Sequence, residues 1–260
     1  MRLLYPSAPF AIRRPDDHYA EECQAALEAG IDVALFSFED FESGRLKVSL
    51  PLEPGEEVLY RGWMLTPDRY AALVAELRKM GARELTSPAE YQRCHHLPEW
   101  YPLLVGHTSE TLVLKGDSDF SQELAGLDWP GYFIKDYVKS LNTGSGSLVG
   151  SPEEIAPLVK LMLQYRGQIE GGICVRRRED YLEDTEQRYF VFQGQAYSPN
   201  AVIPELVTMC AGLIDSPFFS VDVALRSDGE LRVIELGDGQ VSDRKEWSVE
   251  RFVEMLAHRQ

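Results

Sequence analysis

Two apolar, β-prone runs on either side of Asp228-Gly229 place the strongest constraint on how this chain folds. An Asp-Gly pair between such runs is a preferred two-residue turn of a β-hairpin. The sequence therefore predicts an antiparallel hairpin in which Ser227 pairs with Glu230. Counted back from the turn, Asp222 then lies directly opposite Glu235, on the same face of the hairpin.

Two carboxylates at directly opposed positions, with Cβ atoms about 4.5–5.5 Å apart, repel each other unless a positive charge lies between them. A site built only from carboxylate oxygens favours Mg²⁺ or Mn²⁺, and Mg²⁺ usually completes its coordination with water and nucleotide phosphates. The alternative is that Asp222 and Glu235 face solvent on a one-sided sheet. The apolar residues Val221, Val223 and Ile234 on the other face agree with that alternative, so the pattern leaves both interpretations open.

The charge and composition of the chain narrow the classes of partner. Acidic residues outnumber basic ones by 42 to 26, giving a formal net charge of −16, which argues against nucleic acid and anionic membranes as partners. A hydrophobic fraction of 44% over 260 residues suits a folded core, and no run of about 20 apolar residues is present. The four scattered cysteines do not suggest a disulfide framework. We expect a cytoplasmic protein that binds small molecules; the sequence does not indicate its oligomeric state.

Strand and helix signals alternate through the first hundred residues. The clearest is a helix pattern that begins at Thr66-Pro67, with proline at the first helical position. This rhythm predicts an α/β domain with a mostly parallel sheet over residues 1–102, including strands at 2–5, 32–38 and 58–64. A segment rich in proline and aromatic residues, at 97–102, marks the end of this first domain. We expect residues 103–260 to form a second, α+β domain.

A strand predicted over residues 131–139 carries positive charge on one face. Period-2 alternation places Phe133, Lys135, Tyr137 and Lys139 together, with the two ammonium groups rooted roughly 13 Å apart, a spacing that can straddle a polyphosphate. The Gly/Ser-rich loop at 142–147 can form an anion-binding nest. It lacks the Gly-Lys-Ser/Thr ending of a P-loop, so a plain flexible turn is the alternative.

Two arginines and two histidines are further candidates. Arg188 lies in a β-prone run, where arginine either pairs with a carboxylate or binds a phosphate. Arg176 begins a run of three arginines, of which at least one is expected on the surface. His95 and His96 are adjacent and have no third ligand at a recognisable spacing, so we interpret them as packing or solvated residues rather than metal ligands.

The order of these features resembles the ATP-grasp superfamily. In chain order, the features are the Lys135 strand, the Gly/Ser loop, a helix, an apolar-then-acidic segment at 168–172, and a strand that carries the Glu-x-Arg motif of Glu186 and Arg188. The last is the Asp222 strand, paired with a strand that ends in Glu235. Residues 233–242, Val-Ile-Glu-Leu-Gly-Asp-Gly-Gln-Val-Ser, are similar to the metal-binding end of a subgroup of small ATP-grasp proteins. The resemblance covers residues 103–260, and residues 1–102 resemble the α/β domain that often precedes the ATP-grasp module.

This resemblance implies that ATP lies between two α+β subdomains and that Mg²⁺ (or Mn²⁺) is bound with it. It implies catalytic roles for Lys135 and Arg188, with Arg188 facing the transferred phosphoryl group. Asp222, Glu235 and Asp238 are the implied metal ligands. The implied nucleotide-binding residues, with Glu170 and Ile173 in the hinge that meets adenine, are Lys135, Lys139, Gly144, Ser145, Gly146, Glu170, Ile173 and Arg176.

Family members typically activate a carboxylate with ATP and let an amine capture the acyl-phosphate. The resemblance therefore implies a carboxylate–amine ligase acting on an amino acid, a peptide or another small carboxylate, with release of ADP and phosphate. A small-molecule kinase and a non-catalytic ATP-binding or scaffold protein are the alternatives. Many relatives have Glu-x-Asn at the metal strand, whereas this chain has Gly237 at the third position, which cannot ligate through a side chain. Asp238, one residue further on, is the implied substitute.

Overall fold

The chain is a mixed α/β protein, as the sequence predicts. Its structure is a computed structural model that describes residues 1–141 and 146–258, so the predicted Gly144 and Ser145 lie outside the described residues. No helix of the described part is long and apolar enough to span a membrane. The chain forms two compact units: unit 1 comprises Met1–Gln92, Arg188–Val221 and Gly237–Gln260, and unit 2 comprises Arg93–Gln187 and Asp222–Leu236. The division at residue 102 stays a prediction.

The strands and helices are numbered in chain order. The strands are β1 (Arg2–Ala8), β2 (Ala11–Pro15), β3 (Asp32–Phe36), β4 (Glu57–Tyr60), β5 (Arg83–Glu84), β6 (Thr111–Leu114), β7 (Tyr132–Asp136), β8 (Leu148–Val149), β9 (Ile173–Arg177), β10 (Gln187–Phe192), β11 (Gln195–Tyr197), β12 (Phe218–Leu225) and β13 (Leu231–Asp238). The α-helices are α1 (Ala20–Glu28), α2 (Phe38–Glu42), α3 (Pro67–Lys79), α4 (Pro88–His95), α5 (Leu97–Trp100), α6 (Phe120–Glu123), α7 (Ile155–Arg166), α8 (Glu205–Leu213) and α9 (Val249–Ala257).

Unit 1 contains the mostly parallel sheet that the first hundred residues predict. Strand β1 is central and pairs in parallel with β3 and with β4, which pairs in parallel with β5. The short β2 joins β1 antiparallel. Helix α3 begins at Pro67 as predicted, and the apolar stripe of this helix, which includes Leu73, Val74 and Leu77, is buried. The third predicted strand is shorter than expected, because β4 ends at Tyr60.

A buried ion pair ties the loop after β13 into unit 1. Arg61 donates to both carboxylate oxygens of Glu22, at 2.7 and 3.1 Å, and both side chains are about 4% exposed. The same guanidinium donates to the carbonyl groups of Gly239, Gln240 and Ser242 at 3.3, 3.1 and 2.8 Å. One arginine therefore compensates a buried carboxylate and fixes the backbone that follows Asp238.

Unit 2 is built on an antiparallel sheet in the order β6-β9-β7-β8. Helix α7 covers one face of this sheet with a stripe that includes Ile155, Val159 and Met162, which pack in one cluster with Ile134 and Val175. Helix α7 ends at Gly167, whose φ of +75° is the left-handed conformation that glycine adopts without strain at a helix end. The opposite face of the sheet carries Phe133, Lys135 and Arg176.

The turn between β12 and β13 has three residues, Ser227, Asp228 and Gly229, rather than the two predicted. The Gly229 N–H donates to the Arg226 carbonyl and the Arg226 N–H donates to the Glu230 carbonyl, both at 2.8 Å. Gly229 has a φ of +91°, which closes a three-residue loop with a bulge, a common alternative to the two-residue turn. The prediction that Ser227 pairs with Glu230 is therefore wrong.

The pairing of β12 with β13 changes along the hairpin. Near the turn, within unit 2, Arg226 pairs with Glu230, whereas at the far end, within unit 1, the Gly239 N–H donates to the Phe218 carbonyl at 3.1 Å. Phe218 and Gly239 pair in the register that the sequence predicts, whereas the pairing at the turn is shifted by one residue. The hairpin therefore contains an irregularity, and the opposition of Asp222 and Glu235 stays a prediction.

We expect Arg61→Met to lower the free energy of unfolding by about 3–5 kcal/mol, because it leaves the buried Glu22 carboxylate without its partner. Arg14→Met is the matched control, since Arg14 pairs with Asp17 at 3.0 Å on the surface, with side chains 61% and 86% exposed. An exposed pair contributes at most about 1 kcal/mol. Denaturant titrations of both variants measure the difference, and equal losses would contradict the structural role of Arg61.

Candidate functional site

Unit 2 contains a cavity of about 400 Å³ on the sheet face opposite α7. Strands β7, β8 and β9, the chain that follows β9, and β12 and β13 contribute to its wall. Its apolar side chains are Phe133, Leu148, Leu182, Ala224 and Ile234. The charged residues of its lining are Arg176, Arg177, Arg178, Glu179, Glu183, Asp184 and Glu186. A concave site that combines apolar surface with placed polar groups is the usual form of a small-molecule site.

Lys135 lies two residues after Phe133 on the same face of β7, so it follows the cavity wall along the strand. Its ammonium group forms an ion pair with Glu235 of β13. The Lys135 side chain is 6% exposed, whereas Glu235 is 39% exposed, so the carboxylate is the more accessible partner. The structure thus brings together two residues that the sequence predicts separately, one for phosphate and one for metal.

Arg176 is a buried cation in the wall of the same cavity. It pairs with Phe133 across β9 and β7, and its guanidinium donates to Thr108 Oγ1 at 2.7 Å and to the Ile234 carbonyl at 2.9 Å. Its Nε has no hydrogen-bond partner among the described residues. Burial lowers the pKa of Arg176, while Glu235 opposes that shift, and an arginine stays charged at neutral pH. A fixed, partly unsatisfied cation can bind an anion.

Ile234 and Glu235 of β13 both contact the sheet that carries Lys135 and Arg176. The Ile234 carbonyl accepts from Arg176 and Ile234 lines the cavity, whereas the Glu235 carboxylate contacts Lys135. Asp222 of β12 is 3% exposed. Its opposition to Glu235 stays a prediction.

Gly237 occupies the position at which many relatives have asparagine, and the structure gives a reason for the glycine. A Cβ added there would lie 2.8 Å from Ser242 Oγ and 2.9 Å from Ser220 Oγ, closer than such contacts allow. These two hydroxyl groups are themselves 2.8 Å apart and hydrogen-bonded. The space that a side chain at 237 would need is therefore filled by two serines.

Asp238 lies in unit 1 and is fully buried. Its Oδ1 accepts from the Gln240 N–H at 2.9 Å and from Gln240 Nε2 at 3.1 Å, whereas Oδ2 has no partner among the described residues. Burial raises the pKa of Asp238 to about 7. The structure therefore gives Asp238 contacts with its own loop, and its role as a metal ligand stays a prediction.

The strand predicted over residues 131–139 ends at Asp136, so the prediction that Lys139 shares its face is wrong. The Asp136 side chain accepts from the Val138 and Lys139 N–H groups at 2.8 and 2.6 Å, which reverses the chain. Lys139 is exposed beyond this turn. Its role in nucleotide binding stays a prediction.

The Gly/Ser loop begins and ends beside Lys135. Ser140 forms an antiparallel bridge with Lys135, and the Ile134 N–H donates to the Ser147 carbonyl at 2.8 Å. The Ser147 hydroxyl closes the neck of the loop, since it accepts from the Leu141 N–H at 2.7 Å. Gly146, the last loop glycine within the described residues, has a φ of +72°. Whatever the loop binds, its ends lie next to the site lysine.

Glu170 and Ile173 do not line the cavity. Glu170 contacts His96 at 2.9 Å, and Ile173 is fully buried in the core beneath the sheet. The His95 imidazole is buried, which lowers its pKa to about 4, and no group of three or more possible metal-ligating residues occurs in the described part of the chain. The hinge assignment implied by the resemblance thus has no support from the position of the cavity.

Arg188 belongs to unit 1. Its guanidinium donates to the Asp243 carbonyl at 2.9 Å, and its backbone N–H donates to Glu246 at 2.8 Å. Its carbonyl accepts from the Trp247 indole at 2.8 Å. These contacts anchor the Glu-x-Arg strand in unit 1, and the predicted catalytic role of Arg188 stays a prediction.

The sequence does not indicate which residues of the chain after β9 form the cavity wall. Glu179, Tyr181 and Leu182 line the cavity, although this stretch carries no motif. The sequence also does not indicate Thr108, which holds Arg176. The alternation in β7 is a signal for one wall residue, because it places Phe133 on the same face of the strand as Lys135.

A protein-family model matches more than half of the chain. The family model described as ATP-grasp domain, R2K clade family 3, matches residues 109–256. No curated protein matches the chain.

Solved structures match nearly the whole chain. The D-cycloserine synthetase DcsG has a TM-score of 0.63 at 15% identity, covering 99% of each chain. The ATP-grasp ligase PsnB, complexed with precursor peptide PsnA2 and AMPPNP, has a TM-score of 0.62 at 13% identity, covering 98% of this chain and 95% of PsnB. The macrocyclase MdnC, bound with precursor peptide MdnA from Microcystis aeruginosa, has a TM-score of 0.61 at 13% identity, covering 98% and 99%. At these identities the similarity shows the fold, and the match to the family model confirms the predicted ATP-grasp resemblance.

We expect Gly237→Ala to destabilise the protein by about 1–3 kcal/mol, because the new Cβ overpacks against Ser220 and Ser242. The same substitution in a Ser220→Ala/Ser242→Ala background should cost less, since both hydroxyl groups are gone. Gly212→Ala in α8 is the control, because no heavy atom lies within 4 Å of its Cβ position, and alanine is favoured in helices. Thermal unfolding of the variants measures the effect, and an equal loss in both backgrounds would contradict the packing explanation.

Proposed function

Because the chain belongs to the ATP-grasp domain, R2K clade family 3, we propose that it is an ATP-dependent carboxylate–amine ligase. The observation that supports this proposal is the cavity of unit 2, with Arg176 in its wall and with the Lys135–Glu235 ion pair two residues beyond the lining Phe133 on β7. A nucleotide needs an apolar surface for its base and fixed cations for its phosphates. The cavity offers both within one unit.

The adenine base fits the apolar part of the cavity. Phe133, Leu148 and Ile234 provide surfaces for its two faces, and a volume of about 400 Å³ is adequate for a nucleoside. Lys135 and Arg176 provide positive charge for the phosphates, and Arg176 has a donor to spare. This placement puts the base against the chain after β9 rather than at Glu170.

Asp222 and Glu235 are the residues that would hold Mg²⁺. Their chemistry fits, because Mg²⁺ binds one or two carboxylates together with nucleotide phosphates, and Glu235 is accessible. The space beside Gly237 leaves no room for a third ligand from that position. When bound, the ion would neutralise phosphate charge. Removal of Mg²⁺ should therefore abolish activity.

The proposed reaction has two steps. A substrate carboxylate attacks the γ-phosphorus of ATP, forming an acyl-phosphate and releasing ADP. A neutral amine then attacks the acyl carbon, phosphate leaves with the C–O bond electrons, and the amide nitrogen loses a proton to solvent. Lys135 and Arg176 stabilise the charge on the transferred group, and such positioning and electrostatic stabilisation suffice for phosphoryl transfer. Arg188 is proposed to contact the acyl-phosphate.

The substrate class includes amino acids and peptides. PsnB and MdnC were solved with precursor peptides, and DcsG is a D-cycloserine synthetase. For this chain we therefore propose that peptides carrying free carboxylates be tested alongside amino acids and other small carboxylates. The net charge of −16 favours an amine partner that carries positive charge in solution.

ADP and phosphate release distinguishes the alternatives. The purified protein is incubated with ATP and Mg²⁺ in the presence of an acid pool, an amine pool, or both. A ligase releases ADP and phosphate only when both pools are present. A kinase releases ADP without free phosphate, and a scaffold binds nucleotide without turnover; either result would overturn the proposal.

We expect Lys135→Met to lower kcat/KM by at least about 100-fold, because a buried cation at the phosphates is lost. Lys115→Met is the control, since Lys115 is an exposed lysine of the same unit and should change kcat/KM less than twofold. Asp222→Asn should abolish turnover while leaving the protein folded, because it removes a metal ligand without changing side-chain size. Steady-state kinetics and circular dichroism test both, and full activity of either site variant would exclude its assigned role.

A further inference from the structure

Glu179 is a buried carboxylate in the wall of the unit 2 cavity, and arginines of the hairpin hold it. Arg232 of β13 donates to it through two nitrogens, at 3.0 and 3.3 Å, and the two side chains are 6% and 8% exposed. Arg226 adds a contact at 3.3 Å. Tyr181, also in the wall, donates its hydroxyl to Glu179 at 2.6 Å. Nothing in the proposed reaction uses this group of residues.

Arg232 also holds a second part of the wall. Its guanidinium donates to the Thr108 carbonyl at 2.6 Å and to the Gly106 carbonyl. Thr108 in turn accepts from Arg176, and Ser109, the next residue, lines the cavity and contacts the Tyr181 hydroxyl at 3.1 Å. One arginine therefore connects β13 to the two segments that face the proposed base.

The energetics favour a fixed arrangement. Burial raises the pKa of Glu179, but hydrogen bonds from Tyr181 and Arg232 outweigh it and hold that pKa below its ordinary value. The carboxylate is therefore ionised at neutral pH and needs its cation. Breaking one partner of a buried pair leaves an uncompensated charge, which displaces the surrounding chain or draws in water.

We infer that Arg232 is a positioning residue, which shapes the nucleotide cavity by holding Glu179, Tyr181 and residues 106–109 in place. It does not touch the ligand. A preformed wall lowers the ordering that binding requires, so its loss weakens ground-state and transition-state binding of the nucleotide alike. This inference rests on the proposed function, because it assumes that the cavity holds the nucleotide.

The test uses AMPPNP with Mg²⁺ and the full chain. Affinity is measured by titration calorimetry, and thermal unfolding is followed with and without the ligand, since a ligand that binds only the native state raises the melting temperature. Arg232→Lys keeps the charge but loses the forked contacts, and we expect it to weaken AMPPNP binding at least tenfold. In the proposed ligase assay it should raise the KM for ATP and leave kcat within about twofold.

Arg2→Lys is the matched control. Arg2 pairs with Glu56 in unit 1 at 2.9 Å, with side chains 13% and 12% exposed, so it tests the general cost of weakening a half-buried pair. We expect it to lower the melting temperature without changing AMPPNP affinity. A merely structural Arg232 would behave in the same way, and that result would overturn the inference.

Tyr181→Phe keeps the proposal testable if Arg232→Lys does not fold. It removes the hydroxyl that joins Glu179 to Ser109 and leaves the ring in the wall, and we expect a threefold or greater loss of AMPPNP affinity. Unchanged affinity in Tyr181→Phe or in folded Arg232→Lys contradicts the positioning role. Failure of the wild-type protein to bind AMPPNP instead contradicts the proposed function itself, so the two failures are distinguishable.

Discussion

The ion pair between Lys135 and Glu235 is the interaction on which the candidate site depends. A buried ammonium group needs a partner, and here the partner must reach it from a neighbouring strand beside an apolar cavity. Strand β7 ends one residue after Lys135, where the Asp136 carboxylate accepts from the Lys139 N–H and turns the chain. The ammonium group therefore lies at the end of its strand, and Glu235 of β13 supplies its carboxylate partner.

This pair also links the two kinds of ligand in the proposed function. In the protein alone, Lys135 compensates Glu235. A phosphate that draws Lys135 away leaves the carboxylate uncompensated, and a divalent cation restores the balance. Under the proposed function, nucleotide and cation would therefore favour each other's binding, and by linkage the effect would be equal in both directions. Arg176 does not take part in this exchange, because backbone and hydroxyl oxygens hold it.

The sequence was sufficient for elements whose signals are local. The parallel sheet of unit 1, the start of α3 at Pro67 and the pairing of β12 with β13 all follow from apolar periodicity and turn residues. The turn itself was not predictable, because Asp-Gly suits both a two-residue turn and a bulged three-residue loop. The length of β7 was missed because the Asp136 carboxylate competes with the sheet for backbone N–H groups, a choice that depends on tertiary packing.

In the candidate site, too, some residues could be predicted from the local sequence and others could not. Lys135, Asp222 and Glu235 stood out as charges within apolar strands, whereas Glu179 and Arg232 are ordinary surface residue types whose burial is invisible without the fold.

Gly237 is the most informative case. Judged by sequence, it is a lost metal ligand, since asparagine stands there in many relatives. Judged by structure, it is a packing requirement, because Ser220 and Ser242 occupy the space of its side chain and hydrogen-bond across it. Restoring asparagine alone would therefore create a clash rather than a ligand. The glycine and the two serines pack together, so a metal ligand supplied by the side chain at position 237 would require changes at Ser220 and Ser242 as well.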